Sequence, residues 1–314
     1  MTHILFIDPI EKLVVKKDST MLLALTLKNR GEDVLFLFEE DFFVQNSGEM
    51  SFDCYEFSGS IEDDFYITDF AIGNKKKVQM KEGITLHMRI DPPYDSRYQR
   101  YLWMQQFLEN YGVQVANNPL GIMKNNEKLE AYKRDNSLES YVGASVSGAV
   151  SFVEHLKSEG VEDLILKPLD LYQGIGVEKV KADENFAEVF MNKSREFFGP
   201  VVVQPFDSSV VTGEIRSIYY KAVELGTILK TPKAGEFLAN IAQGAKFVRY
   251  EMDKSLKDEC HEICKDLMND GVDLVAFDIL GGKISEVNVT CPGLLVEVSK
   301  AMEENLAEKI VDLM

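Results

Sequence analysis

Apolar positions in this chain come in two forms, short unbroken runs and helical periods, and they alternate. Runs at 4–7, 34–38, 84–88 and 113–116 have strand length. Between the first two, Ser19 stands as a cap before Leu22, Leu23, Leu25 and Leu27, and Gly31 stops the pattern. The spacing over 98–111 predicts a second helix, ended by Gly112. Strands alternating with helices predict a parallel sheet covered by helices. Asn117-Asn118-Pro119 closes this part of the chain. Residues 40–83 are polar and irregular; they fit an edge hairpin or a mobile insertion, with Lys75-Lys76-Lys77 as a solvated turn.

The rhythm then changes. A short helix over 126–133 leads to a strand at 164–167, a glycine-bearing loop, a strand at 177–180 and a helix over 185–197. Gly199-Pro200 breaks the chain before a strand at 201–204. Strands follow at 216–220 and 223–230, then a loop over 231–247 and a helix over 253–269. These shifts divide the chain into 1–119, a strand–helix domain, 120–199, a small middle domain, and 200–314, a C-terminal domain. A loop as long as 231–247 inside a compact domain reads as a functional lid or a disordered segment.

The last section holds the most informative stretch, 275–290. Two apolar runs flank Gly281-Gly282, a dipeptide suited to a two-residue hairpin turn. Glu286 and Asn288, two residues apart, share a strand face, and the turn brings Asp278 back towards them. Three oxygen ligands on one face suit Mg²⁺, which takes one or two carboxylates together with substrate phosphates. A hairpin with a merely polar face is the other reading, although Asp and Asn are poor strand formers.

Composition narrows the function classes. A 314-residue chain that is 45% hydrophobic buries a sizeable core, and a formal charge of −18 argues against nucleic-acid or anionic-membrane surfaces. It leaves room for a nucleotide held in a locally basic pocket. Met1 to Asp8 reads as a first strand and not a signal peptide, no apolar run approaches membrane-spanning length, and Cys54, Cys260, Cys264 and Cys291 form no spaced disulfide framework. The expectation is a soluble, cytoplasmic protein. Cys260 and Cys264 share a helical face with Leu256 and Leu267, which points to core packing and not to a metal site.

Lys167 ends an apolar strand just before Gly174 and Gly176, and Lys128 lies in the short helix upstream. Glycines let backbone N–H groups approach phosphate, and lysines supply point charges. Gln204-Pro205-Phe206 ends the 201–204 strand, and Glu214 and Arg216 open the next. In this order, lysine helix, strand–lysine–glycine loop, hinge strand, acidic–Arg strand and Asp…Glu-x-Asn hairpin resemble the ATP-grasp superfamily. Within it the chain resembles the bacterial glutathione synthetases nearly end to end. The resemblance rests on Asp8-Pro9-Ile10 with Lys16-Lys17-Asp18-Ser19, Met88-Arg89-Ile90-Asp91-Pro92-Pro93-Tyr94-Asp95, Asn117-Asn118-Pro119, Asn126-Glu127-Lys128-Leu129, Leu166-Lys167-Pro168-Leu169-Asp170 and Ser285-Glu286-Val287-Asn288-Val289-Thr290.

That resemblance implies an α/β fold of ATP-grasp architecture with an N-terminal doubly wound parallel-sheet domain. It implies an ATP- and Mg²⁺-dependent ligase joining γ-glutamylcysteine to glycine through an acyl phosphate. Lys128, Lys167 and Gly174 would hold the ATP phosphates, Gln204, Pro205 and Phe206 the adenine, and Glu214 the ribose. Arg216, Lys230 and the lid residue Asn240 would serve the phosphoryl and acyl transfer. Asp278, Glu286 and Asn288 would bind two Mg²⁺, with Mn²⁺ as the alternative ion. Arg89 and Asp91 would hold the peptide acid, and Cys291 and Gly293 would shape the acceptor side. A homo-oligomer, dimer or tetramer, is implied as well, with no nucleic-acid or membrane partner.

The chain departs from the family at particular places. The family's G-M-G-G loop reads Leu171-Tyr172-Gln173-Gly174, Lys230 and Lys246 replace arginines, and Leu238 replaces a lid arginine. On the acceptor side Cys291, Gly293 and Val296 stand for serine, threonine and arginine. Two further readings therefore stay open: a ligase of the same scaffold with a different amine acceptor, and a nucleotide-binding homologue without catalysis.

Overall fold

The computed structural model describes residues 1–241 and 244–314. Six strands form the first sheet: β1 (Thr2–Ile7), β2 (Asp33–Leu37), β3 (Ser51–Ile61), β4 (Ile67–Gln79), β5 (Ile84–Arg89) and β6 (Gln114–Ala116). Their order is β4-β3-β2-β1-β5-β6, with β2, β1, β5 and β6 parallel. Successive residues of β1 feed opposite faces, as strand geometry requires. Leu5 and Ile7 pack with α1 (Ser19–Asn29), while Ile4 and Phe6 pack in a second core with Tyr98 and Leu102 of α2 (Ser96–Phe107). The sheet is thus covered on both sides.

Three local expectations are corrected here. The cap of α1 is Asp18, whose carboxylate accepts from the Thr20 and Met21 N–H groups; the buried Ser19 hydroxyl instead accepts from Leu295 N–H at 3.0 Å. The second helix begins at Ser96, capped by Asp95, and tightens into a 3-10 turn over Leu108–Tyr111 before Gly112. Residues 51–79 are an ordered edge hairpin, and the lysine run lies inside β4 and not in its turn. Lys75 pairs with Asp41 and Asp53 and Lys76 with Asp33, so a polar strand finds acidic partners beside it.

The middle of the chain contains α3 (Pro119–Lys124), α4 (Glu127–Tyr132), β7 (Tyr141–Gly143), α5 (Val146–Ser158), β8 (Asp163–Pro168), β9 (Glu178–Lys181), α6 (Phe186–Glu196) and β10 (Val201–Pro205). The four strands make an antiparallel sheet in the order β7-β10-β8-β9, with α5 and α6 packed on it. This sheet runs past the boundary expected at Gly199-Pro200, because β10 pairs with both β7 and β8. The helix α5 is absent from the sequence reading, although Val146, Ala149, Val150, Val153 and Leu156 follow a helical period and pack on β8 and β10.

The third sheet has the order β13-β12-β11-β14-β15, built from β11 (Glu214–Tyr220), β12 (Val223–Thr231), β13 (Lys246–Arg249), β14 (Leu274–Leu280) and β15 (Lys283–Asn288). On one face α7 (Lys254–Asn269) buries Cys260, Cys264 and Leu267 against Val275 and Phe277, and burial pushes both thiols up. On the other face α8 (Leu295–Met302) and α9 (Leu306–Leu313) join the core of α1, so the first and third sheets share one hydrophobic core. No helix among the described residues is long and apolar enough to cross a membrane.

Candidate active site

The hairpin of β14 and β15 turns at Gly281 and Gly282, both at positive φ (+58° and +78°), which the primed two-residue turn requires. Asp278 pairs in register with Glu286, and Ala276 with Asn288. From the other side, β11 sets Arg216 opposite Asp278, and β12 sets Lys230 opposite Glu214. The register therefore packs alternating charge into one sheet surface. Arg216 Nη1 donates to Asp278 Oδ2 at 2.5 Å, Lys230 Nζ to Oδ1 at 2.8 Å, and Asn288 Nδ2 to Oδ2 at 3.0 Å. Burial opposes ionisation of Asp278, but Arg216 and Lys230 outweigh it and hold this carboxyl well below the usual range. Lys230 also lies 2.8 Å from Glu214, whose carboxyl burial pushes up despite that neighbour.

Lys128, on α4, reaches the same surface and pairs with Glu286 at 3.0 Å. Its ammonium also donates to the carbonyl oxygens of Leu169 (3.4 Å) and Leu171 (2.8 Å), tying the loop after β8 to the hairpin. Lys167, at the end of β8, makes no hydrogen bond or ion pair with the described residues; its ammonium stands 5.6 Å from the Tyr132 ring centroid. Burial pushes it down, against the pull of Glu286, Glu214 and Asp278, so an anion beside it would offset the cost of its charge.

A cavity of about 560 Å³ lies where the three sheets meet. Every residue assigned a role from sequence lines it, from Arg89 and Asp91 at one end to Gln204, Pro205 and Phe206 at the other. Gln204 donates to Ser140 Oγ at 2.7 Å, and Phe206 lies under Lys179 Nζ (3.6 Å from the ring centroid) with Phe237 edge-on. Those flat surfaces fit a stacked heterocycle.

The substituted glycine loop closes over this cavity. Gln173 adopts φ +54° and Gly174 φ +77°, a left-handed pair that glycine tolerates and glutamine resists. A Cβ on Gly174 would stand 3.2 Å from Leu238 Cδ1, so the leucine that replaces the lid arginine packs on the loop. Asn240 Nδ2 donates to Gln173 O at 2.9 Å. Of the lid predicted over 231–247, Ala242 and Gln243 lie outside the described residues.

At the far end, Arg89 is buried, with Nε donating to Thr20 Oγ1 at 3.0 Å and Nη2 to Pro292 O at 3.1 Å. Burial pushes the Asp91 carboxyl up to about 6. Cys291 Sγ stands 3.6 Å from Arg89 O, and burial raises its thiol, which makes it an inert wall. Gly293 O lies 3.5 Å from Arg216 Nη2. Val296 is the exception among the acceptor-side departures: it points into the shared core, fully buried, and not at the cavity.

Two positioning residues escaped the sequence reading. Glu127, beside Lys128, accepts from Val289 N, Thr290 N and Thr290 Oγ1 within 3.0 Å, and so anchors the chain just past Asn288. Asn117 accepts from Asp273 N and Leu274 N and donates to Leu274 O and Val289 O, fastening the same hairpin to the end of β6. Both lie inside recognised motifs, so position next to a motif was the available signal.

The donor chemistry of Asp278, Glu286 and Asn288 is all oxygen, on one face, with two carboxylates and one amide, a set that fits Mg²⁺. The family model described as the prokaryotic glutathione synthetase N-terminal domain matches residues 1–122, and that described as the prokaryotic glutathione synthetase ATP-grasp domain matches 132–303. Among curated relatives, the glutathione synthetase of Parasynechococcus marenigrum (strain WH8102) is 27% identical over 317 residues, covering 99% of this chain and 98% of the relative. That of Shewanella oneidensis is 26% identical, covering 97% and 95%. Similar solved structures include the D-cycloserine synthetase DcsG (TM-score 0.68, 13% identity, 99% of each chain covered). A RimK domain ATP-grasp protein from Sphaerobacter thermophilus is similar at TM-score 0.62 and 13% identity, covering 100% of this chain and 99% of its own. At these identities the structural likeness concerns the fold.

Proposed function

The chain belongs to the prokaryotic glutathione synthetase family and is an ATP-dependent carbon–nitrogen ligase, and from that premise we propose that it joins γ-glutamylcysteine to glycine through an acyl phosphate. The observation that carries this reading is the convergence of a lysine without an ion partner among the described residues, an Arg–Lys-clamped carboxylate and a buried arginine on one cavity. Lys167 and Lys128 bind the phosphates of ATP, with the Gly174 loop above them, and Gln204 to Phe206 receive the adenine, with Glu214 at the ribose. Arg89, with Asp91, takes a carboxylate of the peptide acid. Cys291 and Gly293 line the acceptor side.

Asp278, Glu286 and Asn288 would hold Mg²⁺, two ions or Mn²⁺ in their place, supplying charge neutralisation at the phosphates. The protein's own part is positioning. Arg216 and Lys230 stand at the transferring phosphoryl group, where positive charge offsets the charge that spreads over its oxygens. Leu238 and Asn240 close on the Gly174 loop and keep water from the acyl phosphate. We read the working units as 1–119, 120 to about the end of β10, and the remainder, assembled as a cytoplasmic homo-oligomer, dimer or tetramer; light scattering of the purified protein tests the assembly.

The functional test is Mg²⁺-dependent phosphate release from ATP with γ-glutamylcysteine and a panel of amines. Release that needs both the dipeptide and glycine, and is lost in Glu286→Gln, is the expected result. Release with the dipeptide and some other amine only would overturn glycine as the acceptor.

A further inference from the structure

One charged group in the cavity wall has no part in the chemistry described so far. Glu297 lies in the first turn of α8, immediately after the acceptor-side segment, and is only 2% exposed. Glu297 lines the cavity, and its Oε2 is buried without a hydrogen-bond partner among the described residues. A buried acceptor left without a donor is costly, and proteins rarely keep one that nothing fills. The charged groups that face it are Lys17 and Asp18 from the start of α1 and Arg216 from β11. None of them makes a hydrogen bond to Oε2. Burial keeps this carboxyl raised, against the pull of Lys17 and Arg216.

Its place in the cavity decides what it can bind. Arg216 connects the β14–β15 hairpin to the acceptor segment: one nitrogen holds Asp278, and another lies 3.5 Å from Gly293 O. Glu297 follows Cys291, Gly293 and Leu294 in the chain and lines the same cavity with them, so it belongs to the acceptor end and not to the adenine end at Phe206. The group that must arrive there in a ligase is an amine, and in water an amino acid brings it as an ammonium. An ammonium offers three donors and a positive charge, the complement of an unpartnered carboxylate oxygen.

We propose that Glu297 binds the ammonium of the incoming amine acceptor and takes its proton. This rests on the ligase reading above and adds a residue to it. The ammonium gives one proton to the Glu297 carboxylate, freeing the nitrogen lone pair. That pair attacks the acyl carbon and forms the C–N bond, while the bond from that carbon to the phosphate oxygen breaks and its electron pair leaves with phosphate. The second nitrogen proton departs with phosphate, and Glu297 returns its own proton to solvent.

The experiment separates the two half-reactions in the intact protein. Acyl-phosphate formation is followed without glycine, by scrambling of the β,γ-bridging ¹⁸O of ATP in the presence of γ-glutamylcysteine. Amide formation is followed with glycine across pH. In Glu297→Gln, kcat/KM for glycine falls about a hundredfold or more and its acid limb disappears, the usual range for losing a general base. Isotope scrambling and the KM for γ-glutamylcysteine stay within about twofold of wild type, because they precede the amine. Glu297→Asp retains the acid limb and recovers part of the rate, and it serves if the glutamine variant melts early. Unchanged glycine kinetics in Glu297→Gln, or an equal loss in scrambling and amide formation, overturns the proposal. A rise in KM confined to γ-glutamylcysteine would overturn it too, by giving the carboxylate to the peptide's amino group. Absence of scrambling in the wild-type protein would instead strike the ligase reading itself.

Discussion

Lys230 and Asp278 sit two strands apart with β11 between them, and yet the lysine ammonium meets the carboxylate at 2.8 Å. The same ammonium lies 2.8 Å from Glu214, so one cation serves a buried and a half-buried acid. Lys230→Ala leaves both carboxylates short of a partner. The expected loss is about 3–5 kcal/mol of stability, the range for breaking a buried ion pair by removing one member. Denaturant unfolding measures it. Lys230→Arg, which restores the charge at this position, should unfold within about 1 kcal/mol of wild type; a loss as large as alanine's would show that the site demands the slimmer ammonium.

Glu286 has a different neighbour, Lys128, and is more exposed than Asp278. Glu286→Gln keeps the size and shape of the side chain and removes the charge. Phosphate release at saturating ATP should fall at least about a hundredfold, as for loss of a group that stabilises charge in the transition state, with the Mg²⁺ requirement moved to higher concentration. Mg²⁺ titration of the initial rate tests it. An unchanged titration would remove Glu286 from the metal site.

Leu238 and Gly174 meet across the mouth of the cavity. Leu238→Ala removes that contact, worth about 1 kcal/mol for a half-buried side chain, or about fivefold in the KM for ATP. The ratio of phosphate released to amide formed should also rise, because a looser lid admits water to the acyl phosphate. Parallel assays of the two products decide it: a ratio that stays at one shows that the lid seals without this leucine.

Away from the cavity, His3 on β1 and His87 on β5 are buried with Nδ1 and Nε2 2.9 Å apart. Burial, then His3 and Arg89, push His87 down to about 3. The folded protein therefore resists the proton that the unfolded chain takes up near pH 6.5. Stability is fully present above that value and falls as the pH drops from about 6.5 towards 3. Between pH 7.5 and 5.5 His87 should remove about 1 kcal/mol. Unfolding curves at the two pH values test this against His87→Gln, which should flatten the slope; an equal slope in the variant would assign the loss elsewhere.

The glycine turn of the β14–β15 hairpin, the Gly112 stop of the second helix and the cysteine face of α7 were all legible because each depends on residues close in sequence. The lysine run in β4 misled for the converse reason. Its partners Asp33, Asp41 and Asp53 come from β2, β3 and the turn between them, and only their approach makes a strand of a segment that would otherwise be solvated. The helix α5 is a different kind of miss, because Val146, Ala149, Val150, Val153 and Leu156 carry a helical period that the sequence itself displays. Val296 looked like part of the acceptor site by its place in a motif, and helix phase turned it into the core.

By itself the sequence determined the alternation of strands and helices and the oxygen-rich hairpin, since periodicity and turn chemistry act over a few positions, and its resemblance to the family supplied the other residues that line the cavity. Tertiary structure alone decided which charges meet. Strand register placed Arg216 and Lys230 on Asp278, the docking of α4 delivered Lys128 to Glu286, and the packing of α8 left Glu297 with an unmet oxygen in the wall. Such pairings span tens to hundreds of residues, and their strength depends on distance and burial, which no local pattern encodes.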